Sequence, residues 1–250
     1  MTSDNDSKQM TLFEHIEEMR MRLLYSLIAF VLLFFVWFVF AEQLLTFLRV
    51  PLAQALPEQS KTLHFTAPLE VFLANLKVSF LCALVLSCPI WLYHFWRFTA
   101  PALMTKERKY LLPFIIVSVA LFWLGIAFCY YAILPLALEF LITVGMKVGT
   151  PIIKVSDYVS LLIVLLFCFG LVFETPLILV LLSLLGVVTA DDLRQQRRIV
   201  LLGIVILAAL LTPPDPISQI GLAVPIYAMY ELSIVVIALI NRFSKHEHGA

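Results

Sequence analysis

Four glutamates and one aspartate carry most of the chemistry this chain can offer. Glu174 stands in the middle of a long apolar run and is followed by Thr175 and Pro176. A carboxylate at that depth of a membrane costs several kcal/mol unless it faces a bundle interior, a watery cavity or a partner. Pro176 also frees the carbonyl of Val172, adding an acceptor there. Two readings stand: a polar cavity that admits water, protons or a polar guest, or a protonated, hydrogen-bonded structural carboxyl. Glu231 lies in another apolar run with no cation near it in sequence, and the same two readings apply. Glu18 precedes Arg22 by four residues, the favourable order for a helix ion pair. Glu107 suits a helix N-terminus. Both lie in cationic or aromatic strips at one membrane face, where two carboxylates together can accept a dicationic ligand. Arginine suits such a pair best, because its guanidinium binds carboxylate bidentately. Asp215, in Thr212-Pro213-Pro214-Asp215-Pro216, serves a turn or a binding role.

Other chemistries find no support. There is no GxxxxGK[ST] loop, HExxH or GxSxG. His246-Glu247-His248 is a tail fragment, not a zinc site. Cys82, Cys88, Cys129 and Cys168 lie in apolar runs without a CxxC pair and read as small apolar filler. No metal, cofactor or catalytic constellation is expected, so the chain does not read as an enzyme. A formal net charge of zero gives no pointer to nucleic acid.

The elements that position these carboxylates are membrane helices. The chain is 62% hydrophobic and 14% charged, with mean hydropathy +1.00, against about a quarter charged for a soluble domain. Apolar stretches run over 23–40, 71–93, 111–134, 158–182, 199–211 and 217–240. Helices satisfy their own backbone in lipid, so an all-α polytopic protein of six transmembrane helices is predicted. One set of gaps carries Lys8, Arg20, Arg22, Arg97, Lys106, Arg108, Lys109, Arg194, Arg197, Arg198, Arg242 and Lys245. The other carries only Arg49, Lys61, Lys77, Lys147 and Lys154. The positive-inside rule places the richer set and both termini in the cytoplasm. The first stretch, about 18 residues after an acidic segment, is too long for a signal-peptide core. The absence of transit-peptide composition favours a bacterial inner membrane. The expected organisation is a cytoplasmic tail with an amphipathic helix over 1–22, a transmembrane domain over 23–240 and a cytoplasmic tail over 241–250.

Thr11-Leu12-Phe13-Glu14 reads as a capping box. Leu12, Phe13, Ile16, Met19 and Leu23 form an apolar stripe opposite Glu14, Glu17 and Glu18, predicting a surface helix that runs into span one. The outer gap 41–70, with Pro51, Pro57 and Pro68, predicts short helices. Pro89 should kink span two near its inner end, and Lys77 should snorkel outward. Gap 135–157 is expected outside. Thr189-Ala190-Asp191-Asp192 reads as a helix start. The fifth stretch reaches only about 20 Å against a core of about 30 Å, so spans five and six are expected to be short and to form a low wall.

Four blocks then carry a family resemblance. They are His15-Ile16-Glu17-Glu18-Met19-Arg20-Met21-Arg22, Phe98-Thr99-Ala100-Pro101-Ala102-Leu103 with Lys106-Glu107-Arg108, Phe169-Gly170-Leu171-Val172-Phe173-Glu174-Thr175-Pro176, and Leu211-Thr212-Pro213-Pro214-Asp215. In this order and on this topology, the chain resembles TatC, the large membrane subunit of the twin-arginine protein translocase, over about residues 11–240. The resemblance implies a concave, glove-like bundle and a receptor for paired-arginine signal peptides. It implies export of folded proteins with TatA and TatB, driven by the proton-motive force without ATP, and self-association in a larger complex. By matching motif positions, Glu18 and Glu107 would hold the paired arginines, with Arg20, Arg22 and Phe98 shaping the site. Glu174 would be the polar group of the concave face, and outer Pro51 would match a position needed for function. Glu17 beside Glu18 can share the cation, and Lys106 can pair with Glu107. The rival reading is a proton-coupled small-molecule transporter using Glu174 and Glu231.

Overall fold

Prolines set the punctuation of this fold. In the computed structural model, which describes residues 12–56, 67–99, 111–147, 149, 152–211 and 216–247, most of the described prolines open helices, and Pro225 stands inside one. Pro51, Pro89, Pro135 and Pro176 each stand second in a helix. There the missing N–H is not needed and the fixed φ fits the first turn. The order is α1 (Leu12–Val39), α2 (Ala41–Leu48), α3 (Val50–Ala55), α4 (Pro68–Leu86) and α5 (Cys88–Thr99). Then come α6 (Leu111–Phe128), a π-helical turn (Cys129–Ile133), α7 (Leu134–Met146), α8 (Val155–Phe173), α9 (Thr175–Leu184), α10 (Ala190–Leu211) and α11 (Pro216–Glu247).

The chain is an all-α polytopic membrane protein. Among the described residues, five segments are long and apolar enough to cross a membrane: Ile16–Val39, Pro68–Leu86, Leu111–Met146, Val155–Leu184 and Gln219–Ile240. Side chains such as Leu23, Phe35, Leu112, Ile199, Leu210 and Val224 point outward, as they must where the solvent is lipid. The fifth predicted stretch is part of α10, whose first turns are polar. The expectation that span six is short is corrected: α11 has 32 residues, of which Gln219–Ile240 are the apolar window. Likewise the outer gap expected over 135–157 is helical as far as Met146. Pro135 opens a new helix without ending the axis, because the π turn before it absorbs the lost bond.

Helix α1 is continuous for 28 residues, about 42 Å at 1.5 Å each, so it outreaches a bilayer core. The stripe of Ile16, Met19 and Leu23 faces out, while Glu18 and Arg22 turn inward and are half-buried. Span two breaks at Ser87, two residues before Pro89. The carbonyls left over there find side-chain donors. The Trp123 indole N–H donates to Val85 O at 3.2 Å, and Ser87 Oγ and Trp91 Nε1 donate to Leu84 O, each at 3.2 Å. Pro51 repeats the device at the outer face. It denies an N–H to Phe47, whose carbonyl instead accepts from Tyr130 OH at 2.8 Å, and Tyr158 OH donates to Leu48 O at 2.5 Å. Lys77 reaches from α4 to Ser160 Oγ at 2.8 Å and Ser156 Oγ at 3.1 Å, near the outer end of α8.

Helices α6 and α8 cross where two glycines let them. A Cβ on Gly170 would lie 2.6 Å from the Phe122 ring, and one on Gly125 would lie 2.6 Å from the Phe169 carbonyl oxygen. Phe122 and Phe169 are themselves fully buried at this crossing. Helix α9 ends at Gly186 with φ +73°, closed by Val187 N donating to Leu182 O at 2.9 Å. The predicted start of α10 is a reciprocal cap. Asp192 N donates to Thr189 Oγ1 at 3.2 Å, and Thr189 N donates to Asp192 Oδ2 at 2.9 Å.

Candidate functional site

At the end of the bundle richest in Lys and Arg, α1 packs on α5 and brings a polar and aromatic strip together. Glu18 stands on α1 one turn before Arg22. Arg22 Nε donates to Glu18 Oε1 at 3.0 Å, and its terminal nitrogen reaches the same oxygen. Glu18 Oε2 is buried and has no partner among the described residues. On the same α1–α5 seam, the His94 ring of α5 stacks on Tyr25, with centroids 5.8 Å apart and planes 27° apart. Tyr93 meets His94 edge-on at 5.3 Å. Arg97 donates to Tyr93 OH and lies 5.7 Å over the Tyr93 ring. His94 Nδ1 is the second buried polar atom here without a partner among the described residues. Burial first, then the charges of Arg22 and Arg97, hold its imidazole below the ordinary value, which favours the neutral form. Phe98 is half-buried on the last turn of α5, while Arg20 and Glu17 are exposed. Glu107 lies outside the described residues, as do Lys106 and Asp215.

A second polar site is buried between the spans. The α8–α9 break falls at Glu174, whose side chain turns inward and is only 3% exposed. Its Oε2 accepts from Ser118 Oγ on α6 at 2.6 Å. Ser118 Oγ in turn accepts from Trp96 Nε1 on α5 at 2.8 Å. Glu174 Oε1 is buried and without a partner among the described residues. A side-chain relay of Trp96, Ser118 and Glu174 therefore joins three helices. The α6–α8 glycine crossing is what brings Ser118 within reach. Trp96 belongs to the same short helix as His94 and Arg97 but faces the opposite way, and it is buried.

Glu231 belongs to neither place. Its Oε2 accepts from the Arg197 guanidinium at 2.7 Å and its Oε1 from Tyr227 OH at 2.7 Å. The cation missing from its sequence neighbourhood comes from α10, 34 residues away. Arg197 lies in an inner gap, so this pair sits toward the inner ends of α10 and α11. Glu174 and Glu231 share no partner among the described residues, so the structure does not join them into one intramembrane site. Pro51 is buried at the α2–α3 joint.

Sequence reasoning missed His94, Tyr25, Ser118 and Trp96 as site residues. A lone serine in a clean apolar span was the one available signal for Ser118. Trp96 lies in a cation-flanked aromatic stretch, and only its packing against α6 reveals the indole as a buried donor. Among the described residues no group of His, Cys, Asp and Glu is arranged to hold a metal.

These features define a polytopic helical membrane protein with an ion-paired inner rim and a carboxyl buried at a helix break. Residues 14–225 match the family of the Sec-independent protein translocase protein (TatC). The chain is 38% identical over 226 residues to the Sec-independent protein translocase protein TatC of Escherichia coli K12, covering 89% of this chain and 86% of that one. Its likeness to the Aquifex aeolicus protein of the same name is 35% over 239 residues, covering 94% and 98%. A crystal structure of the twin-arginine translocase receptor TatC superposes with a TM-score of 0.80 at 33% identity, over 90% of this chain and 99% of the other. The chain belongs to the TatC family, polytopic proteins of the bacterial inner membrane.

Proposed function

We propose that this protein is the signal-receiving core subunit of a twin-arginine translocase, with Glu18 at the centre of its receptor site. One observation carries the reading. Arg22 engages a single oxygen of Glu18 and leaves the other buried and unpaired. A buried acceptor without a donor is costly, so a ligand that supplies one gains that energy on binding. A guanidinium suits best, since its planar fork spans both oxygens of a carboxylate while a lysine ammonium does not. Glu107 is the second carboxylate of the site, and Arg20, Arg22 and Phe98 shape it. Glu18 is preferred over Glu17 because its side chain turns toward α5.

In this reading α10 is a sixth, short span, the bundle is concave and glove-like, and both termini are cytoplasmic. Residues 1–22 are the cytoplasmic entry, 23–240 the membrane domain and 241–250 the cytoplasmic tail. A signal docks its paired arginines at the inner rim, and its apolar segment then moves along the concave wall toward Glu174. TatA and TatB join the subunit, which also self-associates, and the proton-motive force drives passage of folded cargo. The outer surface of α10 and α11 receives a single-span partner. Pro51 and Asp215 shape the outer face. Binding of labelled paired-arginine signal peptides to the purified protein in nanodiscs tests the reading. Arginine-dependent binding that falls in Glu18→Ala and Glu107→Ala is expected. Binding indifferent to both substitutions would overturn it.

A further inference from the structure

We infer that His94 is a specificity-determining residue of the receptor site, presenting Nδ1 as a neutral hydrogen-bond acceptor to a guanidinium of the bound signal, beside Oε2 of Glu18. The inference rests on the receptor reading above and extends it to a residue outside the four motif blocks.

Two buried acceptors without partners among the described residues stand on facing helices, Glu18 Oε2 on α1 and His94 Nδ1 on α5. Buried polar atoms of this kind are rare, and each needs a reason. The ring cannot turn freely to solve its own problem. Tyr25 stacks on one face and Tyr93 meets it edge-on, so the direction of Nδ1 is fixed by packing. The groups that face it are known from each described element. Helix α1 supplies Arg22, itself bound to Glu18, together with the Tyr25 ring, and α5 supplies Tyr93 and Arg97, which is held on Tyr93. Helix α6 carries no ionisable side chain.

A neutral imidazole can accept at one nitrogen, whereas an imidazolium only donates. Protonated His94 would also add a third cation beside Arg22 and Arg97 and would oppose an arriving guanidinium. Affinity should therefore fall as pH drops below the ordinary histidine value and through the lowered one of His94. The alternative role for His94 is aromatic filler on Tyr25, and two variants separate the roles. His94→Phe keeps the stacked ring and removes both acceptor and charge. His94→Asn keeps an acceptor near the Nδ1 position and cannot titrate in this range.

The experiment measures the Kd of a labelled Arg-Arg signal peptide for the full chain in nanodiscs, at about pH 7.5 and in steps downward past the ordinary histidine value of about 6.5, because His94 titrates below that value. Wild type should bind more weakly at the lower steps. His94→Phe should lose about tenfold at the higher pH, the effect of one hydrogen bond to a charged donor, and should show little further pH dependence. His94→Asn should stay near wild type at the higher pH and be flat with pH. If wild type binds but His94→Phe matches its affinity and keeps its pH dependence, the inference is overturned and the receptor reading stands. If His94→Asn loses as much affinity as His94→Phe and wild type is flat with pH, the acceptor role is likewise overturned. If wild type shows no arginine-dependent binding, the receptor reading fails and takes this inference with it.

Discussion

Ser118 donates its hydroxyl proton to Glu174 across the α6–α8 interface at 2.6 Å, and it can do so only because glycines let those helices touch. The hydroxyl also accepts from Trp96. One serine therefore satisfies an indole and a carboxyl in a place where water is scarce.

Ser118→Ala should strand Trp96 Nε1 and leave both Glu174 oxygens without a protein donor. The expected loss is about 1–3 kcal/mol, the cost of leaving buried polar groups unpaired. Thermal unfolding in detergent measures it. Glu174→Gln, which keeps an acceptor for Ser118, should cost less than Ser118→Ala. An unchanged midpoint for Ser118→Ala would show that the relay contributes nothing.

The glycine crossing makes a sharper prediction. Gly170→Ala would press a methyl into the buried Phe122 ring, and overpacking of this kind costs about 1–3 kcal/mol. Gly203→Ala, in α10, meets nothing within 4 Å. It should be neutral or slightly stabilising, because alanine favours a helix by about 0.5–1 kcal/mol over glycine. Paired unfolding measurements on the two variants decide the matter.

At the outer face Pro51 and Tyr130 are linked through one carbonyl. Tyr130→Phe removes the donor to Phe47 O and should cost about 1 kcal/mol, with faster amide exchange over α2 and α3. Pro51→Ala restores a backbone N–H able to reach that carbonyl. The cost of Tyr130→Phe should then shrink in the Pro51→Ala background. A double-mutant cycle with strictly additive energies would contradict the link.

The start of α10 should respond to acid. The Thr189 hydroxyl first, then its backbone N–H, hold the Asp192 carboxyl below the usual range. Its folded value is thus below the unfolded one. The cap is fully present above the unfolded value of about 3.9 and is lost as pH falls through the folded value. Amide exchange in the first turn of α10 should rise on acidification below about pH 4. In Asp192→Asn that step should be absent.

Much of this was legible before any coordinates. Long apolar runs require helices in lipid, and charge asymmetry orients them. The prolines announce joints, and Thr189 with Asp192 announces a helix start. What sequence could not supply were the tertiary pairings. Glu231 looked isolated because its cation, Arg197, comes from another helix. The apolar stripe of Ile16, Met19 and Leu23 on α1 was legible, but not the Glu18–Arg22 pair's burial, which comes from packing against another helix. The outer gap was expected to start at 135, whereas the helix runs on to Met146, because a π turn leaves no mark in composition. Glu174 was visible as a cost, but its partner Ser118 is an ordinary residue that only the crossing at Gly125 and Gly170 brings near.

The most direct test of the receptor site is titration of an Arg-Arg signal peptide, and its Lys-Lys counterpart, against wild type and Glu18→Gln in nanodiscs. Loss of a charged hydrogen-bond partner in a half-buried site should weaken Arg-Arg binding about tenfold or more in Glu18→Gln. Wild type should prefer Arg-Arg, and the variant should lose most of that preference. Equal binding of the two peptides by wild type, or an unaltered preference in Glu18→Gln, would contradict the account.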